Sequence, residues 1–573
     1  MRTWPDQFPG RLEHELEEFA ERGLAFSLDD DLLAEQGKVV LRGTIEDQGE
    51  DVALEVHYPD LYPFIRPEIV APDRELPRHQ NPYEGNLCLL DRSSRAWKPS
   101  YTAAWLVAEK VPYLLALLRA DENEMREVET PQGEPLSSYF PGVPGTVLFV
   151  PDAMLSLPEN ASAGSGRIGF AQFEGPQLWV RGAVVELVEK VRSRKTRTLA
   201  RADQPVKRRF SGAEIPFRWV RLDELPKENS PIALLNAIES AKPGFGSPPW
   251  EGVAGGSIAI SGAVFREEVG QGEYQDGWLF VVQQRVDQGE SRRYLIRGER
   301  LSRKDLEVRL PGHLRLEDRC VSLAGLGALG GDIAIELAKS GLGKLRGLDF
   351  DQVEAGTIVR WTAGLTAVGR LKTGYMSQRV AVDYPYTTFE AYPLLIGGST
   401  YGQEPREVSE LDAIDCFLDG SDLLVDATAE IGVQQALAFQ AHARDLRQLF
   451  VSATEGARGG LVAKIDPAAG GCWLCLQLRI EDGSIPIPAH AEPLTLQPRG
   501  CTSLTYTGAG FDLLPIIAQA VRVASATLSE VAEPGSFAYV CSLSDDNVEP
   551  PHWSTHIINR LPECPFCGQV QGQ

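Results

Sequence analysis

Arg319-Cys-Val-Ser-Leu-Ala-Gly-Leu-Gly-Ala-Leu-Gly-Gly-Asp-Ile-Ala-Ile-Glu-Leu-Ala338 is the stretch that decides the fold of the second half of this chain. Its apolar run, residues 321–324, is short and stops at a glycine, which is typical of a buried parallel strand. Gly325, Gly327 and Gly330 then precede apolar residues at helical spacing. A glycine in such a turn lets phosphate oxygens reach main-chain N–H groups at a helix N-terminus. The stretch therefore predicts a strand, a nucleotide-binding loop and a helix.

Asp349 comes at the end of the next apolar run, where this arrangement places a carboxylate for a ribose hydroxyl. The glycine loop by itself does not identify the nucleotide. This pattern most often binds a dinucleotide, and a dinucleotide therefore remains a candidate ligand of the loop.

The length and composition predict a soluble protein of several domains. A chain of 573 residues is too long to fold around a single hydrophobic core. Its net charge of −24 argues against a nucleic acid or an anionic membrane as the main partner. No apolar run approaches the roughly 20 residues that span a bilayer, and the first residues lack a signal-peptide core. Nine cysteines in such a chain favour reduced thiols that bind metal or take part in catalysis. We expect a cytoplasmic protein.

The order of patterns predicts a multidomain protein with α+β and α/β parts. Residues 1–120 show a helix, alternating strands, a long irregular stretch and a second helix, an α+β arrangement. Residues 121–145 are acidic and contain proline, as in a linker. Residues 146–312 carry strand-like runs and few helical ones, a mixed domain without a catalytic pattern. Residues 313–573 form the predicted α/β domain.

The irregular stretch of the first domain carries a motif with a cysteine. His79-Gln-Asn-Pro-Tyr-Glu-Gly-Asn-Leu-Cys88 resembles the ubiquitin-conjugating enzyme family, with matching residues at 62–64 and 97–99. The proline of the family's His-Pro-Asn motif is displaced by one position here. The resemblance implies a ubiquitin-conjugating-like fold, with Cys88 as the acyl acceptor and His79 and Asn81 at the catalytic motif. In that family the asparagine supports the oxyanion formed when an amine attacks the thioester.

Residues downstream of the glycine loop identify the nucleotide. Asp349-Phe-Asp351, Arg360 and Lys372 resemble the ThiF-type adenylating module of ubiquitin-activating enzymes and cofactor-biosynthesis adenylyltransferases. That resemblance implies ATP, whose triphosphate needs a guanidinium and an ammonium beyond the ribose acid. Asp426 matches a carboxylate that ends a strand in this family. The resemblance therefore also implies magnesium as a cofactor.

The residue at 429 departs from the ThiF-type pattern. Ala429 stands where the family has a second aspartate that helps to hold magnesium. Asp426 or Glu430 is therefore expected to serve as the magnesium ligand, and a helix cap or a solvated carboxylate is an equally weighted alternative for either.

Two C-x-x-C pairs predict a structural zinc site. Two such knuckles complete a tetrahedral shell and leave no ligand position open for catalysis. The expected ligands are Cys472, Cys475, Cys564 and Cys567.

The remaining cysteines divide into one expected nucleophile and three core residues. Cys501 precedes an apolar helix and resembles the transfer cysteine of the zinc-bearing activating enzymes, with Arg499 nearby to favour the thiolate. Cys320, Cys416 and Cys541 lie in or beside apolar runs and are expected in the core.

The order of the two resemblances is similar to that of bacterial fusion proteins in CBASS antiviral operons. This resemblance implies that a protein with a flexible C-terminal tail is adenylated, passed to Cys501 and then to Cys88, and joined to a lysine of a target protein. In that group the tail belongs to a cGAS-like nucleotidyltransferase, and we expect a homodimer. A sulfur-carrier adenylyltransferase and a non-catalytic binding scaffold are the alternatives.

Overall fold

A computed structural model describes residues 3–90, 96–119, 133–140, 142–174, 179–192, 195–253, 256–270, 272–286, 291–397, 409–488, 495–496, 505–506, 508–543 and 549–568. The chain folds as two compact units, Met1–Leu301 and Ser302–Gln573. The described residues of the first unit form two sheets, and those of the second unit form one large sheet and a two-stranded ribbon.

The first sheet of the first unit is a four-stranded antiparallel meander. Its strands are Phe26–Leu28, Val40–Asp47, Glu50–His57 and Glu68–Val70. Alternate residues of the third strand are buried, as expected for a sheet with one covered face. The helical segments of this region are Trp4–Gln7, Arg11–Glu21, Asp30–Gln36, Ala103–Trp105, Leu106–Lys110 and Val111–Leu117. The predicted α+β arrangement is confirmed.

The second sheet has nine strands and closes on itself. Its strands are Val147–Pro151, Ala163–Glu174, Trp179–Arg192, Lys195–Arg201, Glu214–Arg221, Glu251–Val253, Gly256–Gly270, Glu273–Val286 and Ser291–Leu301. Closure comes from the parallel pairing of Glu214–Arg221 with Gly256–Gly270. Large side chains, Trp219, Trp278, Phe217 and Phe280 among them, fill its core. The helices of this region include Gln204–Arg209 and Pro231–Ala241.

The second unit is a doubly wound sheet of eight strands. In spatial order the strands are Thr388–Tyr392, Lys344–Leu348, Cys320–Ala324, Leu423–Asp426, Gln448–Ala453, Gly459–Ile465, Phe537–Ser542 and His552–Ile557. The first five are parallel and the last three antiparallel. Its longer helices are Gly330–Lys339, Lys372–Asp383, Glu410–Leu418, Ile431–His442, Trp473–Glu481 and Gly510–Leu528.

The strand order reverses between Cys320–Ala324 and Leu423–Asp426, the two central parallel strands, which are buried at every position. In open parallel sheets, ligands bind outside the carboxyl ends of the strands at this point of reversal. The predicted α/β fold of the second half is confirmed, and the glycine loop begins directly at the reversal.

One described helix, Gly510–Leu528, is long and apolar enough to cross a membrane by length and composition alone. Half of that helix is buried inside the protein, and Leu513, Ile517 and Ala524 belong to the core beneath the large sheet. This burial is typical of the core helix of a globular domain.

Candidate functional site

The glycine loop follows the strand Cys320–Ala324, and its glycines differ in what surrounds them. Gly325 has φ +81°, and a β-carbon there would lie 2.7 Å from the Ala427 carbonyl. A β-carbon on Gly330 would lie 1.8 Å from the Gly325 oxygen. At Gly327 no atom of the described residues lies within 4 Å of the corresponding position. Protein packing therefore requires the first and third glycines, whereas the second one leaves open space over the loop.

Asp349 follows the neighbouring strand and shapes the loop through its carboxylate. Leu326 N–H and Asp351 N–H each donate to it at 2.8 Å. Lys372 Nζ lies 2.7 Å from Asp351 and 3.6 Å from Asp349. Burial raises the pKa of Asp349, and the charge of Lys372 opposes that rise. These carboxylates hold the lysine beside the loop.

Asp426 ends the other central strand and is fully buried. Thr428 donates to Oδ1 from its backbone N–H at 3.0 Å and from its hydroxyl at 2.7 Å. Oδ2 has no hydrogen-bond partner among the described residues. Burial raises the pKa of Asp426 to about 6. A buried carboxylate oxygen without a donor suits a hard cation such as magnesium.

Ala429 and Glu430 follow Asp426 at the predicted magnesium site. Ala429 has φ +57°, in the left-handed region, and Glu430 is exposed. The Glu430 side chain is therefore open to solvent, in contrast to the buried carboxylate of Asp426.

Trp361 is a residue of this site that the sequence did not indicate. Its side chain is 7 % exposed, and the indole N–H donates to the Leu326 carbonyl at 2.8 Å. No motif in the sequence pointed to this contact. Arg360 precedes it, is partly buried and follows the short helical turn Ala355–Val359. The tryptophan thus fixes the chain next to Arg360 against the glycine loop.

The four cysteines of the two knuckles meet in one buried cluster. Their sulfur atoms lie within 4.8 Å of one another. The Cys472 sulfur lies 3.9 Å from that of Cys475 and 3.6 Å from that of Cys564, and the sulfurs of Cys475 and Cys567 are 3.4 Å apart. Zn–S bonds of about 2.3 Å in a tetrahedron place the sulfurs about 3.8 Å apart. The cluster, formed by Cys472, Cys475, Cys564 and Cys567, therefore has the size that zinc requires.

The other cysteines of the second unit differ from one another in burial. Cys320 and Cys541 are buried as predicted, and burial raises the pKa of the Cys541 thiol to about 11. Cys416 is exposed, so its prediction as a core residue is wrong. It lies on the helix Glu410–Leu418, whose other side supplies the buried residues. Cys501 and Arg499 lie outside the described residues.

Cys88 is exposed and lies in the irregular stretch of the first unit. Its N–H donates to the His79 carbonyl at 2.7 Å, and Gln80 pairs with Leu87 in an antiparallel bridge. The predicted motif residues are thus neighbours across a short two-stranded turn. Asn81 is engaged within this turn, because its side chain accepts from Tyr83 N–H at 3.0 Å.

A cavity of about 560 Å³ in the same unit is lined by residues of this stretch and of the closed sheet, among them Arg78 and Tyr274. Two of its charged groups form an ion pair, Arg78 and Glu268, at 2.7 Å. Glu134, another lining residue, contacts His79. Glu134 falls in the stretch predicted to be a linker, where its sequence gave no signal of this contact.

A family model matches the part of the chain that carries the glycine loop. Residues 301–507 match the model of the ThiF family, so the chain carries a ThiF-type adenylating domain. Among solved structures, the crystal structure of E. coli MccB with MccA-N7isoASN has a TM-score of 0.33 and 15% identity, covering 44% of this chain and 68% of that chain.

Two proteins of Sinorhizobium fredii (strain NBRC 101917 / NGR234) are similar over most of the chain. The uncharacterized protein y4qC is 28% identical over 544 residues, which cover 90% of this chain and 89% of y4qC. The uncharacterized protein y4oA is 30% identical over 598 residues, which cover all of this chain and 98% of y4oA. The chain therefore belongs to the same protein family as y4oA, and within it residues 301–507 form a ThiF family domain.

Proposed function

We propose that the second unit activates the C-terminal carboxylate of a protein or peptide by adenylation with ATP. The observation that carries this proposal is the convergence of an open glycine loop, a held lysine and a buried carboxylate at the point of strand reversal. Gly327, Lys372 and Asp426 are these groups. A dinucleotide has no triphosphate to neutralise, so this set of charges favours ATP.

Each group of the site has a role in this reaction. The open space at Gly327 admits phosphate oxygens to main-chain N–H groups at the start of a helix. Asp349 accepts hydrogen bonds from ribose hydroxyls, while Lys372 and Arg360 neutralise phosphate charge. A carboxylate oxygen of the substrate attacks the α-phosphorus, the bond to pyrophosphate breaks, and an acyl-adenylate forms.

Magnesium and zinc fit the described donors in different ways. Asp426 would hold magnesium through its unpartnered oxygen. Magnesium would supply screening of the triphosphate charge. The four-cysteine cluster would hold zinc in a closed shell, which stabilises the fold and leaves the chemistry to other residues.

The activated acyl group then moves through two thiols in our proposal. The Cys501 thiolate attacks the acyl carbon and releases AMP, and Cys88 takes the acyl group by exchange of thioesters. A target lysine amine finally forms an amide and releases the Cys88 thiol. The exposure of Cys88 and its backbone bond to His79 support a role as acceptor. Asn81 is proposed to support the oxyanion of that last step.

The proposed physiological substrate is the tail of a cGAS-like nucleotidyltransferase, in a homodimeric enzyme of bacterial antiviral defence. This part of the proposal rests on the resemblance to the fusion proteins of CBASS operons. The order of a conjugating-like region before a ThiF family domain supports it.

The test is a thioester assay on non-reducing gels with ATP, magnesium and the tail protein. Wild type should form an adduct that a thiol reagent removes, Cys501→Ala should form none, and Cys88→Ala should stop with the adduct on Cys501. Cys416→Ala is the matched control, because that thiol is exposed but outside the proposed path. A wild-type protein that neither forms an adduct nor exchanges pyrophosphate with ATP contradicts the proposal.

A further inference from the structure

His79 adopts a backbone conformation that needs support from its surroundings. Its φ of +59° lies in the left-handed region, which few residues other than glycine occupy. Such conformations persist where neighbouring structure holds them, and they concentrate at functional sites. A neighbouring group is therefore expected to hold the His79 backbone in this conformation.

Glu134 contacts both the main chain and the side chain of His79. The His79 N–H donates to the two carboxylate oxygens at 3.1 Å and 2.9 Å. The imidazole Nδ1 lies 2.8 Å from Oε1. Burial pushes the pKa of Glu134 up, but the hydrogen bonds from His79 outweigh it and leave the pKa below its usual value. One carboxylate, charged at neutral pH, therefore fixes the backbone and the ring together.

Glu134 is itself anchored to the closed sheet through Glu268. The Glu134 N–H donates to Glu268 at 3.3 Å, and Glu268 also accepts from Gly272 N–H at 2.8 Å. Arg78, the residue before His79, contacts the same Glu268 at 2.7 Å. Glu268 is 8 % exposed, so these bonds are largely shielded from water. The short segment with Glu134 thus ties the His79 turn to a rigid sheet.

The His79 turn in turn holds Cys88. The His79 carbonyl accepts the Cys88 N–H at 2.7 Å, so a rotation of the His79 backbone moves the cysteine. Buried Gln80 stiffens the turn, because its side chain donates to the Arg74 carbonyl at 2.7 Å and accepts from Leu76 N–H at 2.6 Å. A displacement at Glu134 is therefore passed on to Cys88.

We propose that Glu134 is a positioning residue that acts through His79 to set the placement and reactivity of the Cys88 thiol. This inference rests on the proposed acceptor role of Cys88. A carboxylate that accepts a hydrogen bond from an imidazole nitrogen fixes the tautomer and the orientation of the ring. Carboxylates bonded to catalytic histidines act in this way.

The test measures Cys88 chemistry without ATP or a protein substrate. Full-length protein is treated with iodoacetamide from pH 6 to pH 9, and the Cys88 peptide is quantified by mass spectrometry. Among the described residues, the charged side chains that contact this stretch include Arg66, Arg78, Glu84, Glu134 and Glu268. We expect Glu134→Ala to change the alkylation rate at least tenfold and to move the pH of half-maximal rate. Glu134→Gln, which still accepts the His79 N–H but lacks the charge, should fall between it and wild type.

Glu75→Gln is the matched control. Glu75 pairs with Lys227 at 2.7 Å in an exposed salt bridge between the same two regions, so its loss should leave the Cys88 rate unchanged. Alkylation of Glu134→Ala and Glu134→Gln within twofold of wild type at every pH overturns the proposal, as does an equal change in Glu75→Gln. If wild type forms no thioester while Glu134 still controls alkylation, the proposed function fails and the positioning role stands.

Discussion

In the glycine loop, the same substitution at two glycines is expected to affect two different properties, stability at Gly330 and ATP binding at Gly327. In Gly330→Ala the new methyl group would lie 1.8 Å from the Gly325 oxygen, so backbone must move. Overpacking of this kind costs about 1–3 kcal/mol. A domain of about 150–250 residues loses about 2–4 °C in melting temperature for each kcal/mol. We expect the second unit of this variant to melt about 2–12 °C below wild type.

Gly327→Ala places its methyl group where no atom of the part of the chain that the structure describes lies within 4 Å, so the free energy of unfolding should stay within about 0.5 kcal/mol of wild type. Its effect should fall on ATP, because the methyl group occupies the approach to main-chain donors. Loss of a hydrogen bond to a charged group costs about 1.5–3 kcal/mol, or about ten- to a hundredfold in Kd.

Calorimetry with and without ATP separates the two effects. At an ATP concentration of about 100 times Kd, binding stabilises wild type by about 2.7 kcal/mol, and a hundredfold weaker variant gains only about 0.4 kcal/mol. The expected result is a stable Gly327→Ala that ATP hardly shifts and a less stable Gly330→Ala. An unchanged ATP shift in Gly327→Ala, or a Gly330→Ala as stable as wild type, would refute the packing argument.

Three further outcomes are expected. The pKa of buried Asp426 is about 6, above its ordinary 3.8, so the free energy of unfolding of the protein without magnesium falls by about 3 kcal/mol as pH rises through that interval. Asp426→Asn should therefore melt higher than wild type above pH 6 and at the same temperature near pH 4. Equal melting temperatures at pH 8 would count against this. Purified protein should contain about one zinc per chain by elemental analysis, and Cys564→Ser should lose it while Cys416→Ser keeps it. Iodoacetamide should label exposed Cys88 within the folded protein and buried Cys541 only after unfolding, so labelling of both at equal rates would contradict their assigned burial.

The features that sequence could predict are those set by local spacing or by ligand chemistry. The glycine loop and Asp349 could be placed because a strand, a tight turn and a helix fix their separation within one unit of chain. The two cysteine knuckles lie far apart in sequence, yet a tetrahedral metal needs four thiolates and so links them. Both predictions depend on rules that hold without knowledge of the rest of the fold.

Contacts between distant segments could not be predicted in this way. Glu134 lies among several acidic residues, and nothing in the sequence distinguishes the one that meets His79. In the sequence, Trp361 cannot be distinguished from any other apolar residue, although its indole N–H donates a hydrogen bond to the glycine loop. Cys416 stands beside apolar residues in the sequence, but the orientation of its helix turns the thiol outward. Each outcome depends on how whole elements pack.

The closed sheet has a consequence for how the first unit assembles. Its ring joins Val147–Pro151 to Ser291–Leu301 and Glu214–Arg221 to Gly256–Gly270, pairs that are well separated along the chain. Such non-local pairing slows folding, because long loops must close before these strands gain their partners. The amide hydrogens of the ring should therefore exchange with solvent as one cooperative group, at the rate set by opening of the entire sheet.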